Sequence, residues 1–385
     1  MSVNPADASD NRIAASGTAG PVVPGAGVAF MAFGDSFGLF HEGRQELVAL
    51  NETASRIWQD LALGWAPFVV AQTLVAQGAP PAAGLGYVED ALQRWLGAGW
   101  MVPADLAGPA SEPPLARLNL SVLDVGFDVA FFGAVPPPGV LDMLAPLRGD
   151  GAAQHELKVA AWQGHWVLFA GSTSRGVYGP DQLAPAIKAA LTDQLVVSVG
   201  EGFIAHGGLV EAASSRIFLS GAPGKGKSTL TLALGAAGFE CLSDDIVHVD
   251  QRGWMRGAMF APALKSGSWP LLAQILPALE TLPVHHRADG QDVRYATDVI
   301  SAGPGRPLDI FIALDRRADG PAELQPMSRL DAMSLLLKDA FASAGRVSAA
   351  DMQALAHTFA AVRAYTLRYA DLFGAVEQLR TLVHG

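Results

Sequence analysis

With 385 residues, half of them apolar and only 16% charged, the chain has enough apolar side chains for more than one core, so two or three domains are expected. Its 37 acidic residues outnumber 26 basic ones for a net charge of −11, and no basic stripe of the kind a nucleic-acid binder carries is visible, so nucleic acid is not an expected partner. The single Cys241 excludes an internal disulfide framework and a multi-cysteine zinc site, and no apolar run reaches the roughly 18–20 residues that span a bilayer; a soluble, cytoplasmic protein without a membrane partner is expected.

Residues 1–28 lack the charged-then-apolar pattern of a secretory signal and read as a disordered tail. A small unit follows over 29–105. "VAFMAF", "SFGLF" and "QELVAL" read as strands, with a turn at "HEGR". Asn51 is an N-cap candidate for a helix with Glu52 in its first turn and Ala54, Ile57, Trp58 and Leu61 at helical spacing. "APFVVAQTLVAQG" is a second helix, and "GYVEDALQRWLGAGWMV" a third with Val88, Leu92, Trp95 and Leu96 on one face. A hairpin and three helices predict a small α+β, winged-helix-like module, and 106–114 reads as a linker.

Over 115–385, "LARLNLSVLDVGFDVAFFG", "HELKVAAWQGHWVLFAG", "RIFLS", "DIFIALD" and "AYTLRYA" read as strands. "PDQLAPAIKAALTDQLVVS", "SRLDAMSLLLKDAF" and "FGAVEQLRTLV" read as helices. This alternation predicts an α/β core.

The run Gly221, Ala222, Pro223, Gly224, Lys225, Gly226, Lys227, Ser228, Thr229 fits G-x4-G-K-[S/T] between a strand and a helix. Glycines let backbone N–H groups curl around phosphate oxygens. Lys227 reaches the β- and γ-phosphates, and the Ser228 hydroxyl is of a kind that ligates Mg²⁺. The helix beginning at Ser228 points its positive dipole end at the anion. ATP is therefore the expected ligand, with Mg²⁺.

Sixteen and seventeen residues after Ser228 come Asp244 and Asp245, one helix and the strand "FECLS" later. That connection is expected to return the chain beside the P-loop strand, with both carboxylates at the C-terminal strand end where α/β sheets bind ligands. One acid would accept a proton from an attacking hydroxyl and the other would hold the metal. His206 precedes the P-loop strand in "AHGGLVE", and Asp315 ends "DIFIALD" as a second candidate for metal handling.

"HGGLV", "GAPGKGKST" and "LSDD", in this order and spacing, resemble the kinase domain of HPr kinase/phosphorylase and its relatives, and the later "LKSGS" at 264–268 resembles the HPr-kinase-related group. The resemblance implies a P-loop kinase of the HPr kinase and PEP-carboxykinase type acting on a serine hydroxyl. Asp244 would be the general base, Asp245 and Ser228 would serve the metal, Lys227 the phosphates, and His206 would assist Asp244 or the phosphorylated product. Lys265 and Arg294 are candidate phosphate clamps, and the family admits a homo-oligomer. Thr229 stands where the family carries Glu, and the signature that touches the HPr protein is not recognisable, so HPr itself is not the expected acceptor.

The N-terminal "LVALNETASRIWQDL" and "LGAGWMV" resemble PqqD-type domains, which recognise leader peptides of ribosomally made, modified peptides. Such domains bind by strand addition, with the Phe37–Phe40 strand and the helix around Trp95 as the expected peptide-facing surface. Joined, the two resemblances imply a kinase that phosphorylates a serine or other hydroxyl of a precursor peptide held by its N-terminal module. Two other readings stay open. One is a nucleotide-dependent peptide-binding switch or chaperone without transfer; the other is a kinase of a small metabolite or carrier protein.

Overall fold

The computed structural model describes residues 21–106, 112–338, 340–342 and 345–384. Two units separate: Met1–Leu118 with Asp128–Pro136 and His155–Ala186, and Asn119–Phe127 with Pro137–Gln154 and Ile187–Gly385. No helix among the described residues is long and apolar enough to cross a membrane.

In the first unit, β1 (Val22–Pro24) pairs antiparallel with β5 (Met101–Pro103), while β2 (Val28–Phe33), β3 (Ser36–His41) and β4 (Glu46–Leu50) form a three-stranded antiparallel sheet. Residues 1–20 of the expected tail lie outside the described residues. Val22, within that same stretch, is a fully buried strand residue, because an apolar side chain next to a free edge gains by pairing there. Of the expected linker, residues 107–111 also lie outside the described residues.

Three helices follow: α1 (Glu52–Ala62), α2 (Pro67–Ala76) and α3 (Pro81–Gly97). The Asn51 side chain accepts the Ala54 amide at 2.8 Å, which caps α1 as its sequence predicts. Trp58 of α1 and Trp95 of α3 meet edge to face at 5.0 Å in the core.

Two findings revise the expected peptide-facing surface. β3 is hydrogen-bonded on both sides, to β2 and to β4, so it has no edge to offer an added strand. Trp95 is only 6% exposed and is a core residue. The edges without a strand partner among the described residues are those of β2 and β4.

β6 (Ala116–Val122) and β7 (Val125–Phe132) carry the chain between the units. The first unit also contains the antiparallel strands β8 (His155–Trp162), β9 (His165–Ala170) and β10 (Thr173–Tyr178). Their Trp162, Val167, Phe169 and Val177 share one core with Trp58 and Trp95. Arg44 ties them to the helices by donating to the carbonyls of Ala98 (2.5 Å) and Ser174 (2.8 Å).

The second unit contains α4 (Val140–Leu144), most of α5 (Leu183–Ser198), and β11 (Phe203–His206), β12 (Gly208–Ala212) and β13 (Ser215–Ser220). Next come α6 (Lys227–Ala236), β14 (Glu240–Ser243), β15 (Ile246–Val249), β16 (Met255–Gly257) and β17 (Ala263–Lys265). α7 (Trp269–Leu272), β18 (His285–His286), β19 (Asp292–Tyr295), β20 (Ile310–Arg316) and β21 (Glu323–Pro326) follow. The chain closes with α8 (Arg329–Lys338), α9 (Ala349–Phe359), β22 (Arg363–Tyr369) and α10 (Leu372–His384).

Its main sheet has the order β14-β12-β13-β20-β22-β21, with β13, β20 and β22 parallel. α6 and α10 cover one face through Leu230, Leu234, Val376 and Leu379. α8 and α9 cover the other through Leu336, Leu355 and Phe359, together with the small sheet β11-β15-β16. Burial on both faces explains why β13 and β20 read as continuous apolar runs.

The sequence places the aspartate strand beside the P-loop strand, whereas the structure inserts β12 between them. The β12–β13 hairpin is local, turning through Ala213 and Ser214 at positive φ, and occupies that slot. Because β12 is antiparallel to both neighbours, β13 and β14 still run parallel and end at the same edge.

At the opposite end of β13, Arg216 is 1% exposed and donates to Glu211 Oε2 at 2.7 Å and to the carbonyls of Met255 (2.7 Å) and Pro304 (2.8 Å). Glu211 also accepts from Arg306. Glu211→Ala would strand a buried guanidinium, and we expect urea denaturation to show a loss of roughly 3–5 kcal/mol.

Candidate nucleotide and phosphoryl-transfer site

β13 ends at Ser220 and releases the chain into the loop 221–226, after which α6 begins at Lys227, one residue earlier than the motif alone predicts. Gly224 (φ 82°) and Gly226 (φ 92°) lie in the left-handed region that glycine adopts without strain. A Cβ at Gly226 would approach the Tyr369 hydroxyl to 2.8 Å. That hydroxyl donates to the Lys225 carbonyl at 2.9 Å, tying the loop to the end of β22.

Ala222 and Pro223 form the exposed tip, Lys225 and Thr229 are half-buried, and Lys227 Nζ donates back to the Gly221 carbonyl at 2.6 Å. The first turn of α6 and the Lys227 ammonium both border this loop, and unpaired amides at a helix start beside a cation are a combination that suits a phosphate. Removing the Tyr369 hydroxyl in Tyr369→Phe should loosen the loop, and hydrogen exchange of the amides at 224–227 should speed up several-fold relative to the wild type.

The aspartates sit in the turn between β14 and β15. Ser243 Oγ accepts the amides of Asp245 (3.3 Å) and Ile246 (3.1 Å) and donates to the Ile246 carbonyl (2.8 Å), which fixes that turn. Asp244 is 4% exposed, and its Oδ1 is buried without a hydrogen-bond partner. Asp245 is one-third exposed and its Oδ1 lies 2.7 Å from His206 Nε2. The Gly207 amide donates to the Asp245 carbonyl at 2.9 Å, so the His206-Gly207 segment is pinned to the same turn. The resemblance assigns His206 to Asp244 or to the product; the structure pairs it with Asp245, because β11 runs antiparallel to β15 with His206 opposite Ile246.

The two neighbouring acids are pushed apart. Burial raises the Asp244 carboxyl to about 6, with the charge of Asp245 adding to it against the pull of Lys188. Burial acts on Asp245 in the same direction, but the hydrogen bond from His206 and the charges of Lys188 and Lys227 outweigh it and hold Asp245 well below the usual carboxylate range. One carboxylate near neutrality beside one firmly ionised is the division of labour an acid–base site needs.

Among the described residues no group of three or more His, Cys, Asp or Glu is arranged to hold a metal. Mg²⁺ asks for less, since it takes one or two carboxylates and completes its shell with water and phosphate oxygens. The unpartnered buried Asp244 Oδ1, the Asp245 carboxylate and the Ser228 hydroxyl are hard oxygen donors that fit it.

Lys265 is exposed at the end of β17, opposite Val293. Arg294 donates to the Leu279 carbonyl at 2.9 Å and stacks on Trp269 at 4.3 Å, so it braces the segment after "LKSGS". That segment docks on the P-loop helix through Leu232 against Leu264 and Leu272. Asp315 is ion-paired with Arg317 (3.2 Å) and Arg368 (3.7 Å) at the end of β20. One residue that the sequence does not single out belongs to the site: Tyr369, which holds the loop.

A mixed α/β sheet has a glycine-rich loop leaving a central parallel strand and a pair of aspartates at the same edge. No protein-family model and no curated protein matches the chain. Among solved structures it is similar to the Hpr(Ser) kinase/phosphatase from Coxiella burnetii, at 11% identity and a TM-score of 0.23, over 46% of this chain and 96% of that one. It is also similar to TbiB1 in complex with the TbiA(beta) leader peptide, at 20% identity and a TM-score of 0.18, over 19% of this chain and 86% of that one. Scores this low leave the reading of the chain to its own residues.

Proposed function

We propose that the chain is an ATP-dependent kinase that transfers the γ-phosphoryl group to a serine or other hydroxyl of a ribosomally made precursor peptide. The observation that carries this reading is the buried Asp244, one residue before an ionised, His206-paired Asp245 in the same turn and at the same sheet edge as the P-loop. A P-loop that only binds nucleotide has no need of a second, near-neutral carboxylate at its metal serine.

The loop amides and Lys227 hold the β- and γ-phosphates. Asp244 accepts the proton of the acceptor hydroxyl as its oxygen bonds to the γ-phosphorus and the bond from that phosphorus to the bridging oxygen breaks, releasing ADP. Bound Mg²⁺ would neutralise charge on the phosphates, held by Ser228 and Asp245. His206 keeps Asp245 ionised and oriented through their 2.7 Å contact. Residues 29–105 serve as the recognition module, where an extended leader pairs with the free edge of β2 or β4, and tethering raises the local concentration of a weakly bound acceptor.

The test is to incubate the protein with Mg²⁺-ATP and the small peptides of its source cell and follow them by mass spectrometry. A peptide gaining the mass of one phosphoryl group, with Asp244→Asn inactive, supports the kinase. ATP binding with no transfer to any peptide makes the protein a nucleotide switch, and transfer to a small metabolite makes the N-terminal module regulatory.

A further inference from the structure

β14 meets β12 with a bulge just before the aspartates. Leu209 pairs with Ser243 and the next residue, Val210, pairs with Cys241, so Leu242 is an extra residue without a counterpart on β12. Directly paired residues share one face of a sheet. Cys241 accordingly joins Val210 in the core under α6, while Ser243 falls with Leu209 on the opposite face, where Leu242 also packs. A regular strand would put Ser243 on the α6 face and turn Asp244 away from it. The bulge reverses that alternation for the residues that follow.

Ser243 is 1% exposed, and its hydroxyl makes three hydrogen bonds within the turn. It accepts the amides of Asp245 (3.3 Å) and Ile246 (3.1 Å) and donates to the Ile246 carbonyl (2.8 Å). The bulge has little room to shift. A Cβ on Gly257 of β16 would come within 2.1 Å of the Leu242 carbonyl oxygen and 2.9 Å of Ser243 Cβ, so glycine is needed where β16 passes it. The Ser301 amide donates to the Cys241 carbonyl at 2.7 Å and anchors the residue before the bulge. Beyond it, the Gly207 and Ala258 amides donate to the carbonyls of Asp245 and Ile246, each at 2.9 Å. These contacts act on the backbone that carries the two acids, and none of them belongs to the glycine-rich loop.

We propose that Ser243 is a positioning residue for the acid pair: with the bulge at Leu242 it fixes the turn that buries Asp244 and brings Asp245 to His206, and both metal binding and the rate of phosphoryl transfer depend on that placement. This role presupposes the kinase reading of the site given above. Misplacing a reacting group by about 1 Å costs on the order of 10²-fold in rate, which gives a hydroxyl that touches no substrate a measurable effect on turnover.

The test compares the wild type, Ser243→Ala and Ser243→Thr in the full chain with two probes. One is Mn²⁺ binding, followed by electron paramagnetic resonance. The other is steady-state formation of ADP from Mg²⁺-ATP, with water in place of the acceptor hydroxyl. Ser243→Ala leaves the Asp245 and Ile246 amides without their acceptor, and Mn²⁺ affinity and kcat should each fall by about 10–100-fold, the usual loss when a group that orients a metal ligand is removed. The KM for ATP should stay within about twofold of the wild type, because the glycine-rich loop is untouched. Ser243→Thr keeps the hydroxyl and should recover most of both losses, and circular dichroism melts confirm that each variant is folded.

If Ser243→Ala binds Mn²⁺ and turns over like the wild type, or if kcat falls only with a matching rise in the KM for ATP, the positioning role is overturned. If the wild type binds Mn²⁺ but forms no ADP, the kinase reading fails as a separate result, and the Mn²⁺ affinities of the variants still decide the role of Ser243. A wild type without affinity for Mn²⁺ overturns both.

Discussion

Asp244→Asn is expected to lower kcat for phosphoryl transfer by about 10²–10⁴-fold while ATP still binds, the range a positioned general base contributes. Asparagine keeps the shape of the side chain but cannot take a proton. The pH profile of the wild type should carry the same signature. Burial places the Asp244 carboxyl at about 6, so below that pH it is protonated and cannot act as a base. The rate should climb with rising pH through about 6 and then level, and this limb should be absent from the residual activity of the variant. Asp245, held low by His206, Lys188 and Lys227, stays ionised throughout that window and cannot be its source.

Lys227→Ala should reduce both nucleotide affinity and transfer, with kcat/KM falling by about 10²–10³-fold, the loss seen when one preorganised electrostatic donor is removed from a transferring group. Isothermal titration with ATP and with AMP separates the causes. Lys227 reaches only the outer phosphates in the proposed geometry, so ATP affinity should drop and AMP affinity should not. Its bond to the Gly221 carbonyl is expected to give way to phosphate, an exchange of partners that would make Lys227 an element of binding rather than of folding.

The first unit bears on how the peptide module can be tested. Removal of residues 1–110 would uncover Trp162, Val167, Phe169 and Val177, which share a core with Trp58 and Trp95. Loss of activity in such a truncation would report an exposed apolar surface as readily as a lost peptide. Substitution at an exposed edge residue such as Leu47 of β4, 61% exposed, leaves that core intact and is the cleaner probe.

The strand–loop–helix setting of the glycine-rich loop was legible because it is local: the glycines, Lys227 and Ser228 are contiguous, and strand and helix follow from flanking apolar runs. The Asn51 cap on α1 was legible for the same reason, as one side chain bonds an amide three residues on. α9 carried a comparable local signal, the Ser348–Asp351 capping box. Strand order was not local. Nothing in "FECLS" states that the β12–β13 hairpin will lie between it and the P-loop strand, because pairing depends on which edge is open once the hairpin has formed.

By itself the sequence determined many of the elements, including the strand and helix that flank the glycine-rich loop, and the position of the two acids that follow it, since each rests on residues a few positions apart. Only the tertiary structure decided which acid is buried and which meets His206, and that β3 has neighbours on both sides. Burial, edge exposure and the charge felt at a carboxylate arise from segments distant in the chain meeting in space, and no short stretch of sequence records them.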